Sequence, residues 1–518
     1  GAGKSTLLKC LMGEEEYDAG VFAVSEGETI GYLQQDITFA DDVTLRQPVT
    51  DAWKDVMRLE EQLKQVEKDM QAHPNDETLM NRYARMQERF EWLGGYEYES
   101  MSRKIIHGLG FTEDDMDRPV QQFSGGQKTR INLAKALVRR PDYLFLDEPT
   151  NHLDMDMLEW LEGYLLSYGG GILIVSHDRY FLDRVATGIL ELDHGKVTKY
   201  KGNYSRYIAQ SRERRKALES AYRKQQEHIH ETEEYIRKYK AGIKAKQARG
   251  RQSQLDRLER IELAPETASL QFQFAPAEEC GQKVLVLDDI CGGFANRQLF
   301  SHLSLLLRRG ESVSLIGPNG AGKTTLIRMI MGEIEADSGH ITLGSRVHIG
   351  YFAQEHTDLH GAWTILEEIM NDFSFGEDEA RAVLGRFLFR GDDVFKVIDS
   401  LSGGEQARVA LLKLFLQGAN FLILDEPTNH LDIPTREVLE QALQEFGGTY
   451  LVVSHDRYFL DKITKRTLVL ENKKLKEFLG NYTYYREKEK EAADLAAQEL
   501  AEKEAEQPAA SHADKKAQ

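Results

Sequence analysis

The 518-residue sequence predicts an α/β protein built from two tandem copies of one unit, the first interrupted by an inserted helical hairpin, with a long helical linker between the two. Three observations lead there. One series of short motifs occurs twice in the same order. A complete phosphate loop stands between a strand-like and a helical run. Both copies carry an apolar strand ending in Asp-Glu.

The repeat comes first, because a missed repeat misreads the whole fold. "GAGKST" at 1–6 returns as "GAGKTT" at 320–325, and "IGYLQQD" at 30–36 as "IGYFAQE" at 349–355, both at an offset of 319. Later motifs return at an offset of 278: "FSGGQ" (123–127) as "LSGGE" (401–405), "LDEPTNHLD" (146–154, 424–432) and "VSHDRYFLD" (175–183, 453–461). The difference of 41 residues is an insertion in the first copy. In the second copy Lys283–Asn319 precede the glycine matching Gly1, so about 37 residues of the first unit are expected before Gly1, and a chain starting there should hold nucleotide poorly at that site.

Length and composition agree with this layout. A chain this long needs more than one core. No run of 18 apolar residues is present, so no membrane helix is expected. Three cysteines (Cys10, Cys280, Cys291) without metal-ligand spacing point away from a disulfide framework, toward a reducing compartment such as the cytoplasm. A net charge of −19 speaks against nucleic-acid affinity over the whole surface, although one segment departs from that average.

Each motif has a chemical reading. In "GPNGAGKTT", Gly317, Asn319, Gly320 and Gly322 shape a loop whose N–H groups cradle phosphate, and Lys323 reaches the β/γ-phosphates. Thr324 offers a hydroxyl to Mg²⁺ and Thr325 follows it; Gly1, Gly3, Lys4, Ser5 and Thr6 are their counterparts. The runs "YLFLDE" and "FLILDE" end in Asp147 and Asp425, placed for Mg²⁺, and in Glu148 and Glu426, placed to polarise the attacking water.

Together these motifs resemble the ATP-binding cassette ATPases, P-loop NTPases, with two cassettes in tandem. That resemblance implies two ATP molecules sandwiched head to tail. One site would combine Lys4, Ser5, Gln35, Asp147, Glu148 and His177 with Ser402, Gly403 and Gly404 of the other cassette. The second would combine Lys323, Thr324, Gln354, Asp425, Glu426 and His455 with Ser124, Gly125 and Gly126. His177 and His455 stand where the family senses the γ-phosphate, Gln35 and Gln354 where it approaches the metal, and Asp154 and Asp432 in the loop coupling the sites. Phe294 resembles the adenine-stacking aromatic, and Glu405 departs from the commoner Gln of the signature. Both sites keep the acids and the His, so two hydrolysing sites are expected.

Two further segments narrow the reading. Near 52–95, Val56, Leu59, Leu63, Val66 and Met70 step by three and four, "HPND" turns the chain, and Leu79, Tyr83, Met86, Phe90 and Leu93 return, as in an antiparallel coiled-coil hairpin. The linker, about 205–282, carries 16 Lys/Arg against 9 Asp/Glu from 205 to 262. Ile229, Ile236 and Ile243 recur every seven residues in its first half, Gly242 and Gly250 flank an expected tip, and "LDRLERIEL" reads as the returning helix. Lys238, Lys240, Lys244, Lys246, Arg249 and Arg251 concentrate positive charge at that tip, where phosphate neutralisation is independent of sequence.

Fused cassettes with an arm and a basic linker resemble the ABC-F ATPases, whose linker contacts tRNA and ribosomal RNA. The resemblance implies a monomeric cytoplasmic ATPase with intramolecular cassette pairing, which binds the ribosome as a translation factor or an antibiotic ribosomal-protection protein and has no membrane partner. A DNA-directed ATPase and the ATP-binding subunit of a transporter stay open as alternatives. The expected boundaries are 1–204 for the first cassette, 205–282 for the linker, 283–485 for the second cassette and 486–518 for a charged Ala/Glu/Lys-rich tail.

Overall fold

A computed structural model describes residues 3–506, apart from 26–27, 34–42, 74–75, 93–94, 194, 240–243, 259, 262–273, 275–277, 295–296, 354–358, 388, 390 and 430. The chain divides into two compact units, Gly1–Asp18 with Phe181–Leu270 and Ala19–Tyr180 with Gln271–Gln518.

The larger unit contains the second cassette and most of the first. Its six-stranded sheet runs in the order Ile349–Phe352, Phe421–Asp425, Thr449–Val453, Ser312–Ile316, Arg466–Glu471, Lys474–Phe478, parallel except for the last pair. Strands covered on both faces read as continuous apolar runs, and "FLILD" and "TYLVV" are buried at every position. A second, antiparallel sheet places Lys283–Phe294 between Arg297–Arg308 and Ser338–Leu343. Leu326, Ile327 and Ile330 of the helix Lys323–Ile330 share one core with Leu315, Ile423 and Leu451 of the first sheet and Leu287, Phe300 and Leu305 of the second.

In the same unit a three-stranded parallel sheet, Ile30–Leu33, Tyr143–Asp147 and Gly171–Val175, repeats part of this plan. The insertion forms helices Lys54–Ala72 and Glu77–Trp92, which pack on each other. Val56, Leu59, Leu63, Val66 and Phe90 are buried, and the Tyr83 hydroxyl donates to Glu67 across the pair at 2.8 Å. Of the expected turn, Pro74 and Asn75 lie outside the described residues, as does Leu93.

The smaller unit holds helix Lys4–Leu11, the antiparallel strands Gly188–Asp193 and Lys196–Lys201, and the 36-residue helix Tyr204–Tyr239. Tyr200 and Tyr207 both donate to Glu191, at 2.9 and 2.7 Å, which pins the start of the long helix to the strands. A second helix, Ala245–Asp256, returns along it, with Ala248 and Ile229 buried. This corrects the expected tip. Gly250 lies inside the returning helix, which begins ten residues before "LDRLERIEL" and ends within it. The helix formers from Ala245 to Gln254 outweigh one Gly, whose cost relative to Ala is about 1 kcal/mol. Gly242 and Ile243 lie outside the described residues.

Candidate nucleotide site

The site is built where strands end. Strand Ser312–Ile316 delivers the chain into the loop of Gly317–Gly322, and helix Lys323–Ile330 leaves it. Gly317 is required by close approach: a Cβ there would lie 2.3 Å from the Leu470 carbonyl oxygen. Gly322 caps the helix with φ 103°, a left-handed conformation that favours glycine. Lys323, buried, donates from Nζ to the Gly317 and Pro318 carbonyls at 2.6 and 3.1 Å, inside the loop it would neutralise. Burial holds this ammonium below its ordinary range, against the opposing pull of Glu426, Asp154 and Asp425.

Strand Phe421–Asp425 brings the acids. The Thr324 hydroxyl donates to Asp425 Oδ2 at 3.0 Å, and burial raises the Asp425 carboxyl. Glu426 follows in a left-handed conformation, φ 51°, fixed by its N–H donating to the Val453 carbonyl at 2.8 Å. Such backbone costs energy in a non-glycine residue and persists only when its surroundings impose it. Here it turns the carboxylate toward His455, whose N–H donates to Glu426 Oε2 at 3.2 Å and whose Nε2 lies 3.5 Å from Oε1. Burial pushes Glu426 up to about 8, with Lys323 opposing, and lowers His455 to about 3, so the imidazole is neutral.

The first cassette repeats this corner. Glu148 has φ 48°, its N–H donates to the Val175 carbonyl at 2.8 Å, the His177 N–H donates to Glu148 Oε2 at 3.3 Å, and His177 Nε2 lies 3.5 Å from Oε1. Asp147 ends its strand, buried. In the smaller unit, Lys4, Ser5 and Thr6 open helix Lys4–Leu11 after Gly3, whose φ of 79° parallels Gly322. Gly1, Gln35 and Gln354 lie outside the described residues, and Phe294 is placed only as the last residue of its strand.

Ser124, Gly125 and Gly126 line the same cavity of about 1060 Å³ as Lys323, Thr324, Asp425, Glu426 and His455. Ser124 caps helix Gly125–Val138 in a reciprocal box: Gln127 N–H donates to its hydroxyl at 3.3 Å, and Ser124 N–H donates to the Gln127 side chain at 2.9 Å. Ser402 makes the same box with Glu405, which accounts for the departure from Gln; hydrogen bonds from Ser402 hold the Glu405 carboxyl below its ordinary range. Asp154 caps helix Met155–Leu166 with Oδ1 and accepts from Asn319 N–H on Oδ2 at 3.3 Å, joining the loop before that helix in one cassette to the Gly317–Gly322 loop of the other. One contributor escaped the motifs. Arg436 donates from Nη1 to the His177 carbonyl at 2.9 Å and to Asp456 at 3.2 Å. Its repeat partner is Leu158, so no repeat signal marked it.

The oxygen donors fit a magnesium ion: a hydroxyl and a buried carboxylate stand 3.0 Å apart, and Asp147 Oδ1 in the other cassette is buried with no hydrogen-bond partner.

A phosphate loop that faces a signature helix across one cavity defines the ATP-binding cassette class of ATPases. Residues 1–151 and 300–429 match the family model described as ABC transporter, and 190–274 match a second with the same description. The chain is 43% identical to "Putative ATP-binding protein YdiF" of Bacillus subtilis, over 96% of this chain and 78% of that protein. It is 36% identical to "ABC transporter F family member 5" of Arabidopsis thaliana, over 98% and 75%. Among solved structures, the "RNase-L Inhibitor" superposes with a TM-score of 0.57 at 20% identity, over 92% of this chain and 84% of that one. An archaeal ribosome recycling factor, solved with a ribosomal stalk protein, gives 0.56 at 19%, over 90% and 80%; both share the fold. The chain belongs to the ABC-F family of ATP-binding cassette ATPases.

Proposed function

We propose that the chain binds ATP head to tail between its cassettes and couples hydrolysis to binding of the ribosome and tRNA in the cytoplasm. The observation carrying the ATP half is the single cavity that joins Lys323, Thr324, Asp425, Glu426 and His455 to Ser124, Gly125 and Gly126. Lys323 releases the loop carbonyls and takes β- and γ-phosphate oxygens, and the loop N–H groups bind the rest. The free N–H groups opening helix Gly125–Val138 face the γ-phosphate from the other cassette. Thr324 and Asp425, with Gln354, would hold Mg²⁺, which would supply charge neutralisation at the transferring phosphoryl group. Glu426 takes the proton of the attacking water; its raised pKa makes it the stronger base once ionised. His455, neutral, offers one N–H to the γ-phosphate and senses it. Glu148, His177, Asp147, Lys4, Ser5 and Gln35 carry the same roles at the first site, with Ser402, Gly403 and Gly404 opposite, and Phe294 stacks on adenine.

The ribosome half draws support from the linker. Lys238, Lys244, Lys246, Arg249 and Arg251 are exposed, and Arg251 lies 3.9 Å over the Tyr235 ring. Basic groups interleaved with aromatic rings suit phosphate and base alike. Lys240, in the same run, lies outside the described residues. Closure on ATP biases the chain toward the bound form, since a nucleotide shifts an equilibrium only through differential affinity for its two states. The Glu148→Gln, Glu426→Gln double variant should co-sediment with ribosomes in ATP and stay in the supernatant without it. A variant that binds ATP yet stays in the supernatant refutes the ribosome reading.

A further inference from the structure

Two buried ion pairs cross between the cassettes inside the larger unit. Arg457, 1% exposed, sets its guanidinium on the fully buried carboxylate of Glu162, with Nη1 at 3.5 Å and Nη2 closer, and its Cζ lies 4.1 Å over the Tyr180 ring. Arg179, 3% exposed, sets Nη2 on Glu440, also fully buried, with its Nη1 3.8 Å from Glu437 and its Cζ 4.3 Å over the Tyr458 ring; Lys462, of the same cassette as Glu440, donates to the other Glu440 oxygen at 2.7 Å. Arg179 and Arg457, Tyr180 and Tyr458, and Glu162 and Glu440 are each related by the 278-residue offset. One pair is therefore the repeat image of the other.

Their placement ties them to the chemistry. Arg457 follows His455 by two residues, and Arg179 follows His177 by two. Glu162 lies on the helix whose cap, Asp154, accepts from the phosphate-loop Asn319, and Glu440 lies on the helix capped by Asp432. The two histidine loops also meet each other, because each gives an Arg and a Tyr to the other's Tyr and Arg. Arg436 adds a bond from the second cassette to the His177 carbonyl.

We propose that Arg457–Glu162 and Arg179–Glu440 are reciprocal positioning latches: they form as the cassettes close, set both histidine loops, and so make closure at one nucleotide site felt at the other. The inference rests on the two-site closure proposed above. A desolvated charge is tolerated only when its partner is present. Each Arg stands on the cassette opposite its Glu, so partial closure strips water from the guanidinium before its carboxylate arrives, even though Glu440 keeps Lys462 beside it. Intermediate openings are thereby penalised, and the two sites close together. The two-nitrogen contact of Arg457 and the ring stacks of both Arg require guanidinium, which the ammonium of Lys cannot supply.

The test follows the closure of the full chain, with one fluorophore on each cassette, against ATP concentration, alongside ATP hydrolysis. Glu162→Gln and Arg457→Met should each raise the half-closing ATP concentration about tenfold and lower the cooperativity of closure; the Glu162→Leu, Arg457→Met double variant should return to within about threefold of wild type. Arg457→Lys keeps the charge, and with it the fold, yet should shift closure about threefold. Single variants that close at wild-type ATP concentrations, a double variant as impaired as the two singles combined, or an unshifted Arg457→Lys would each overturn the latch alone. A wild-type chain that does not respond to ATP overturns the two-site reading and the latch together.

Discussion

The two cassettes carry the same Glu–His corner in unequal surroundings. Glu148 with His177 and Glu426 with His455 match in backbone angle, in the 2.8 Å bond that fixes the glutamate N–H and in a 3.5 Å carboxylate-to-imidazole separation. Burial differs. Thr449–Val453 is buried throughout, whereas Gly171–Val175 is partly exposed along its length. Leu468, on the strand beside Ser312–Ile316, is 1% exposed; Leu190, its repeat partner, is 53% exposed. In the second cassette, strand Ser312–Ile316 joins the sheet on both sides. The geometry of the corner is thus set locally, by a strand end and one backbone bond.

The largest test of that comparison is chemical. Glu426→Gln should lower single-turnover ATP hydrolysis at its own site by about a hundredfold or more, while nucleotide binding persists. If the matching local geometry is sufficient, Glu148→Gln removes only the first site's share. Loss of nearly all hydrolysis from either single substitution would show that the sites turn over together, as the reciprocal Arg–Glu pairs imply. Rapid-quench measurement of phosphate release on each single variant separates these outcomes.

A second test concerns energy. Leu315, 1% exposed on the central strand, packs in the core between the two sheets, and Leu315→Ala should destabilise the chain by about 2–5 kcal/mol, read as a fall in the urea midpoint. Leu190→Ala, at a half-exposed position, should change stability by less than about 0.5 kcal/mol. Equal effects would mean that the first cassette's strands bury more than their exposure shows.

The same division explains what could be read without coordinates. The phosphate loop, the Asp-Glu strand ends and the signature helices were legible because their chemistry depends on short spacings that occur twice. The inserted helices were legible from a three-four apolar step, and Val56, Leu59, Leu63 and Val66 are buried as that step requires. What depends on distant pairing was not legible. Arg436 reaches the His177 carbonyl from 259 residues away, and Glu162 meets Arg457 across 295. No local pattern announces either partner, although the 278-residue recurrence of Glu162, outside the named motifs, was available as a signal. The linker tip was misplaced because Gly250 was read as a breaker, while tertiary packing of Ala248 on the long helix supports the turn that contains it.

The smallest predicted effect lies in the two signature boxes, which differ by one charge. Gln127 closes the box at Ser124 as a neutral amide; Glu405 closes the one at Ser402 as a carboxylate held in its ionised form by the Ser402 hydrogen bonds. An acid at a helix N-terminus favours the helix but repels an incoming phosphate. Gln127 lines the described cavity, so Gln127→Glu should keep the cap and weaken ATP binding by about threefold, more at low salt, because the added charge is only partly screened. Glu405→Gln should do the reverse where Ser402 faces nucleotide. Titration of a fluorescent ATP analogue at two ionic strengths measures both, and a salt-independent loss in Gln127→Glu would assign the change to a damaged cap rather than to repulsion of phosphate.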